Sequence, residues 1–213
     1  MAVIIINPNS TVSMTDAMVE MARRSASGLQ FEGSTSHDGP SSIQGVDDGA
    51  AATPPLLELV KEASEANADE IIIACFDDTA LAQASELANC PVIGLGQSAY
   101  HYAALRNWRF SVVTTLSVSV PILEANIHGM GLGSYVSKVR ASDVTVLDLE
   151  ANPERSSASV VNEALEAQAD DSISAVILGC AGMVQVVESV EKALDILTID
   201  PVACAARCMT WLI

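Results

Sequence analysis

The sequence predicts an α/β protein of two similar lobes, each a short, mostly parallel sheet flanked by helices, with the active site in the cleft between them. Three observations carry this. Short apolar runs rich in β-branched residues alternate with longer stretches of helical period along the chain. The first of them, residues 2–6, is continuous rather than alternating, the pattern of a strand covered on both faces. The order of elements in the first half also recurs in the second.

Residues 2–6 open the chain as a buried strand. They follow no basic region and so do not read as a signal peptide. After the turn Asn7-Pro8-Asn9-Ser10, the residues Met14, Ala17, Met18, Met21 and Ala22 recur at helical spacing and make one apolar face. Further strands are expected at 29–36, 70–74, 91–94, 110–114, 135–140, 173–178 and 196–199. Helices are expected near 54–67, 78–88, 97–107, 117–129, 153–169, 183–194 and 202–212. Asn152-Pro153 is a helix start, with a capping side chain followed by proline at the first helical position. Strand alternating with helix implies a parallel sheet with helices on both faces. The first lobe is expected over 1–96, completed by the C-terminal helix 202–213, and the second over 97–201.

Of 213 residues, 50% are hydrophobic, 17% charged and 4% aromatic, which excludes disorder and low-complexity fibres. The net charge of −17 repels phosphate backbones and anionic lipid, so neither nucleic acid nor a membrane surface is an expected partner. No apolar stretch approaches the roughly 20 residues of a membrane helix. Five cysteines at irregular spacing suit reduced thiols in a cytoplasm.

The two halves share a polar pattern. Asn9-Ser10 follows the first strand, and Thr114-Thr115 ends the strand at 110–114. Cys75 and Cys180 each follow a later strand, and each lies 66 residues beyond its partner, Asn9 or Thr114. Ligands of open α/β sheets bind beyond the carboxyl ends of strands, where all four groups fall. A thiol beside a helix N-terminus has its pKa lowered toward neutrality, so both cysteines are candidate bases or nucleophiles. A lone cysteine at an apolar strand end is ordinarily core. Two in matching positions, flanked by polar or small residues, favour chemistry. Cys90, Cys204 and Cys208 read as packing.

Other motifs lack their context. Gly94-Leu95-Gly96-Gln97-Ser98-Ala99 matches a dinucleotide fingerprint, yet no acidic residue follows about 20 positions on, and a tight helix–strand approach accounts for the glycines. His37, His101 and His128 are scattered, so no metal is expected. Asp77-Asp78 reads either as a magnesium pair or, more commonly, as helix caps.

Ile-Asn-Pro-Asn-Ser-Thr at 6–11, Gly-Pro-Ser-Ser-Ile-Gln-Gly at 39–45, Ala-Cys-Phe-Asp-Asp at 74–78, Phe-Ser-Val-Val-Thr-Thr at 110–115, Leu-Gly-Cys-Ala-Gly-Met at 178–183 and Ile-Asp-Pro-Val at 199–202 stand in the order found in the hydantoin racemases. The chain resembles that family, within the aspartate/glutamate racemase superfamily that also holds allantoin racemases. The resemblance implies cofactor-independent racemisation by Cys75 and Cys180 from opposite faces of the substrate. It implies substrate contacts from Asn9, Ser10, Ser42, Phe76, Asp77, Asp78, Thr114, Thr115, Ala181, Gly182 and Met183. The loop at 43–48 departs from the family's usual glutamate and aromatic, which touches substrate identity.

The four site segments hold no lysine or arginine, so a neutral cyclic ureide suits them better than a dianionic amino acid. The expected substrate is a 5-substituted hydantoin. Allantoin is the alternative, with Ser42, Gln44, Asp77 and Asp78 as partners for its ureido group. An aspartate/glutamate-type amino-acid racemase, a one-cysteine decarboxylase or cis–trans isomerase, a thiol-redox protein and a small-ligand-binding protein are the other readings. A homo-oligomer is expected.

Overall fold

The computed structural model describes residues 2–212, and within them the strands form two four-stranded parallel sheets. In the first, β1 (Ala2–Asn7), β2 (Gln30–Thr35), β3 (Glu70–Ile73) and β4 (Val92–Gly94) run in the order β2-β1-β3-β4. In the second, β5 (Phe110–Thr114), β6 (Val136–Ala141), β7 (Ala175–Leu178) and β8 (Leu197–Ile199) run β6-β5-β7-β8. The halves are therefore topological copies, as the alternation predicts. Ile6 pairs with Ile73 and Val113 with Leu178, separations of 67 and 65 residues. The shared 66-residue spacing thus holds only to within one residue of the true register.

The helices are α1 (Val12–Ser25), α2 (Val46–Glu65), α3 (Leu81–Leu87), α4 (Leu95–Leu105), α5 (Val120–Gly129), α6 (Asp148–Ala151), α7 (Pro153–Asp170), α8 (Val187–Ala193) and α9 (Pro201–Leu212). Short 3₁₀ turns at Ser117–Ser119 and Ala181–Gln185 precede α5 and α8. The largest departure from expectation is α2, which starts eight residues before 54 and runs through Pro54 and Pro55. The carbonyls that these prolines leave without donors belong to Ala50 and Ala51, both exposed, where water can satisfy them. In contrast, α3 starts late, because Asp78 and Ala80 both adopt positive φ and hold residues 75–80 as turns.

Every residue of β3, β5 and β7 is buried, which is why these runs show no alternation. Helices α2 and α3 cover the outer face of the first sheet around Leu56, Val60 and Ile71, whereas α7 and α8 cover that of the second around Val160, Val176 and Val190. Between the sheets lies a single core. It joins Ile5, Phe31 and Ile72 of the first sheet to Phe110, Val112 and Ile177 of the second, through α1, α4 and α9. Tyr100 of α4 stacks on Phe110, with centroids 5.9 Å apart, and meets Phe76 edge-on at 5.4 Å. Each such buried side chain contributes about 1.5–3 kcal/mol. Helix α9 packs on α1 and α4.

Candidate active site

Both sheets direct their carboxyl ends into one cleft. Asn9 arrives from beyond β1, Cys75 from two residues past β3, Thr114 and Thr115 from the end of β5, and Cys180 from two residues past β7. The cleft holds about 500 Å³ including its mouth. Phe76, Asp77, Ala181 and Gly182 also line it. Of the residues expected at the site, these nine come together. Ser10, Ser42, Asp78 and Met183 do not line the cleft. The Ser10 hydroxyl donates to Pro40 O at 3.3 Å, and Met183 is fully buried in the second lobe's outer core. Ser42 is buried away from the lining.

Asp78 has a different task. Its two carboxylate oxygens accept the backbone N–H groups of Gly96 (2.9 Å) and Gln97 (2.7 Å), capping α4 from outside the helix. A Cβ on Gly94 would collide with that carboxylate, and one on Gly96 with Phe76 O. The fingerprint-like glycines therefore clear space for the 76–78 turn. The expected cap on the helix that follows Asp77-Asp78 is not made: α3 has no side-chain cap, and Asp78 caps α4 instead. Asp77 faces the cleft, and its carboxylate accepts both the N–H (3.0 Å) and the hydroxyl of Thr79.

Of the two apolar wall candidates in the sequence, Phe76 lines the cleft and Met183 does not, and most of the apolar lining comes from residues that the sequence does not single out for the site. Met14 and Met18 of α1, Ile43, Leu123 of α5 and Val146 form much of the wall, together with Ser119. The helical face containing Met14 and Met18 was visible as a stripe, but a stripe facing a core and one facing a ligand share the same periodicity.

The thiols overturn one expectation. Neither pKa is lowered. Burial pushes Cys75 well above the ordinary thiol value, and the Asp77 carboxylate pushes it further. Burial likewise raises Cys180 to about 11, against the opposing N–H groups of Gly182 and Met183, with Asp77 again adding to the rise. Burial is the dominant cause, and the following segments offer little to oppose it. Cys75 leads into a turn, and Cys180 into a five-residue 3₁₀ segment, so neither faces the N-terminus of a full helix.

Polar groups remain available to a ligand. The Asn9 side-chain oxygen is occupied by Asn7 Nδ2 and Thr11 N, while its amide nitrogen reaches only Met14 Sδ at 3.7 Å. Thr114 donates to Gly179 O at 2.9 Å and keeps its lone pairs free. Asp77 is the one charged side chain among the described lining residues. No three His, Cys, Asp or Glu side chains among the described residues converge as a metal-ligand set. No described helix is long and apolar enough to cross a membrane.

Among the described residues, three hydrogen bonds join the lobes around the cleft. Asn126 Nδ2 of α5 donates to Asp77 O (2.6 Å), Val146 N to Gln44 Oε1 (2.9 Å) and Ser13 Oγ to Glu150 Oε2 (3.0 Å).

Known proteins share this architecture. The chain is 39% identical over 204 residues to a hydantoin racemase from Rhizobium meliloti, covering 95% of this chain and 85% of that protein. It is 33% identical over 208 residues to one from Pseudomonas sp. (strain NS671), covering 97% and 84%. The solved allantoin racemase from Klebsiella pneumoniae superimposes with a TM-score of 0.94 at 31% identity, covering all of this chain and 87% of that one. A glutamate racemase from Francisella tularensis, at 19% identity and a TM-score of 0.72, shares the fold. The model of the Asp/Glu/hydantoin racemase family matches residues 3–209, and with that match, these relatives and two cysteines at equivalent strand ends, the chain belongs to that family.

Proposed function

We propose that the protein racemises a 5-substituted hydantoin without a cofactor, with Cys75 and Cys180 as the acid–base pair. The observation that carries this is the meeting of two thiols from different sheets in one cleft that has no cationic lining. The C5 proton of a hydantoin is acidic because its carbanion delocalises onto the C4 carbonyl. One sulfur, as thiolate, takes the proton, and the other, as thiol, returns one to the opposite face. The negative charge moves from the first sulfur to the enolate oxygen and then to the second sulfur, which has given up its proton, so net charge in the cleft is constant. A raised thiol pKa makes the thiolate a stronger base while reducing its population at neutral pH. The Asn9 amide is a donor for the enolate oxygen, and Asp77 is an acceptor for a ring N–H.

The charge of the cleft favours a neutral substrate. An amino-acid dicarboxylate would meet Asp77 and no cation. Met14, Met18, Ile43, Leu123 and Val146 favour an apolar C5 substituent over the ureido group of allantoin. Of the partners expected for that group, Ser42 and Asp78 lie outside the lining and the Gln44 side-chain oxygen is already occupied. Five unpaired cysteines suit a reducing cytoplasm. Self-association is the remaining expectation, read by sedimentation.

Proton NMR in D₂O with each enantiomer of a 5-alkyl hydantoin, and of allantoin, tests the reading. The wild type should exchange the C5 proton and lose optical activity together. Cys75→Ala and Cys180→Ala should each stop racemisation while exchanging the proton of one enantiomer only, opposite in the two variants. Exchange of neither compound would overturn the ureide reading. Formation of a Cys75–Cys180 disulfide on mild oxidation, without exchange, would favour a thiol-redox role.

A further inference from the structure

The chain at 39–45, whose Ile43 lines the cleft, is held on the first lobe by its own neighbours. Pro40 O accepts Ser10 N (2.9 Å), Ser41 O accepts the Thr11 hydroxyl (2.8 Å) and Asp48 Oδ2 accepts Gln44 N (2.9 Å). Gly45, at φ +106°, turns the chain into α2 in a conformation that favours glycine. The Gln44 side chain alone carries a hydrogen bond from this segment to the second lobe, where it accepts Val146 N at 2.9 Å, 102 residues away.

The receiving end is equally prepared. The Thr145 hydroxyl and Asp148 bond reciprocally, hydroxyl to carboxylate at 2.7 Å and Asp148 N to the hydroxyl at 3.2 Å, so the turn before α6 is closed on itself. The N–H of Val146 is left facing the first lobe. Ile43 and Val146, the residues on either side of this bond, both line the cleft and are both buried.

We propose that Gln44 is a positioning residue that clasps the Ile43 wall of the cleft to the Val146 wall, and so selects the size of the substituent at C5. The proposal rests on the hydantoin reading above. With the clasp made, the two walls stand at a spacing that grips a small substituent. With it broken, the first-lobe segment keeps its local anchors and the approach of Gly45 to Val118 but loses its hydrogen bond across the cleft, and a bulky substituent gains room. Gln44 touches no reacting atom in this scheme, so its effect falls on KM and on substrate ranking, with kcat unchanged.

The test compares wild type, Gln44→Met, which keeps the shape and removes the acceptor, and Gln44→Glu, which restores an acceptor. Substrates are 5-methyl-, 5-isobutyl- and 5-benzylhydantoin. Gln44→Met should raise KM for the 5-methyl compound roughly three- to tenfold, the worth of one neutral hydrogen bond. Its kcat should hold, and KM for the 5-benzyl compound should stay or fall. Gln44→Glu should return the wild-type ranking. Amide hydrogen exchange without ligand should show the Val146 N–H exchanging faster in Gln44→Met and slowing again in Gln44→Glu. An equal change on all three substrates, or a Glu variant that behaves like the Met variant, would overturn the size selection. Unchanged Val146 exchange would overturn the clasp itself, whatever the activities. If the wild type turns over none of the three, the hydantoin reading fails and the substituent assignment falls with it.

Discussion

Asp77 adds its charge to burial at both sulfurs, and this makes it the residue on which the chemistry of the cleft is most sensitive to pH. Burial and the Asp77 charge both favour the protonated thiol, pushing Cys180 up to about 11 and Cys75 well above the ordinary value. The active free enzyme needs one thiolate, so kcat/KM should rise with pH from neutrality toward the thiol pKa. Removing the carboxylate charge removes a cause of the elevation at both cysteines. Asp77→Asn should therefore move the rising limb to lower pH, as read from the pH profile of kcat/KM; a limb that stays in place would show that the charge is not felt. Sequence reading reached the two cysteines, Asn9, Asp77 and the paired threonines because each sits at a strand end where ligands gather. The direction of the thiol shift was beyond it, because desolvation depends on what closes over the sulfur.

Two acidic groups, buried Asp78 and half-buried Asp171, set how elements are joined, with opposite signs in pH. Asp78 caps α4 from the 76–78 turn, and burial raises it to about 8 against the two N–H groups it accepts. A carboxyl held above its unfolded value of roughly 4 stabilises the fold fully below that pH, and the contribution is lost as pH rises toward the folded value. The melting temperature of Asp78→Asn minus that of wild type should therefore increase as pH goes from about 4 to about 8. Asp171, at the end of α7, is lowered instead, because the Arg140 guanidinium of β6 donates to both its oxygens (2.7 and 2.8 Å) and Ser111 of β5 adds a third bond. That pairing stabilises above the unfolded carboxyl value and is lost as pH falls through the folded one. Arg140→Met would leave Asp171 and Glu163 without their shared cation and should lower the midpoint of denaturant unfolding. The elements themselves were largely legible, since most strands announced themselves as β-branched runs, β2 being the clearest exception. Element ends were not: α2 begins early because solvent can satisfy carbonyls beneath Pro54 and Pro55, and α3 begins late because Asp78 turns back to serve α4.

The two topologically equivalent halves are not two independent bodies, because the largest core cluster passes from one sheet to the other through α1, α4 and α9. Unfolding should accordingly be a single cooperative transition, with calorimetric and van't Hoff enthalpies in agreement. Two resolved transitions would show that the lobes melt separately. The same shared core fixes the relation between the sheets, and hence brings the two cysteine-bearing strand ends to one cleft.

By itself the sequence determined the α/β class, the repeat of elements, the strand-end placement of both cysteines and the family resemblance. All of these depend on local period, turn chemistry and short motifs, which are written in consecutive residues. Only the tertiary structure decided that Asp78 caps α4, that Met14, Met18, Ile43 and Val146 make the apolar wall, that burial outweighs any helix-terminus effect on the thiols, and that Gln44 reaches across the cleft. Each of these depends on which distant segment supplies the neighbour, and a side chain's hydrogen-bond partner and dielectric surroundings have no signature within its own stretch of chain.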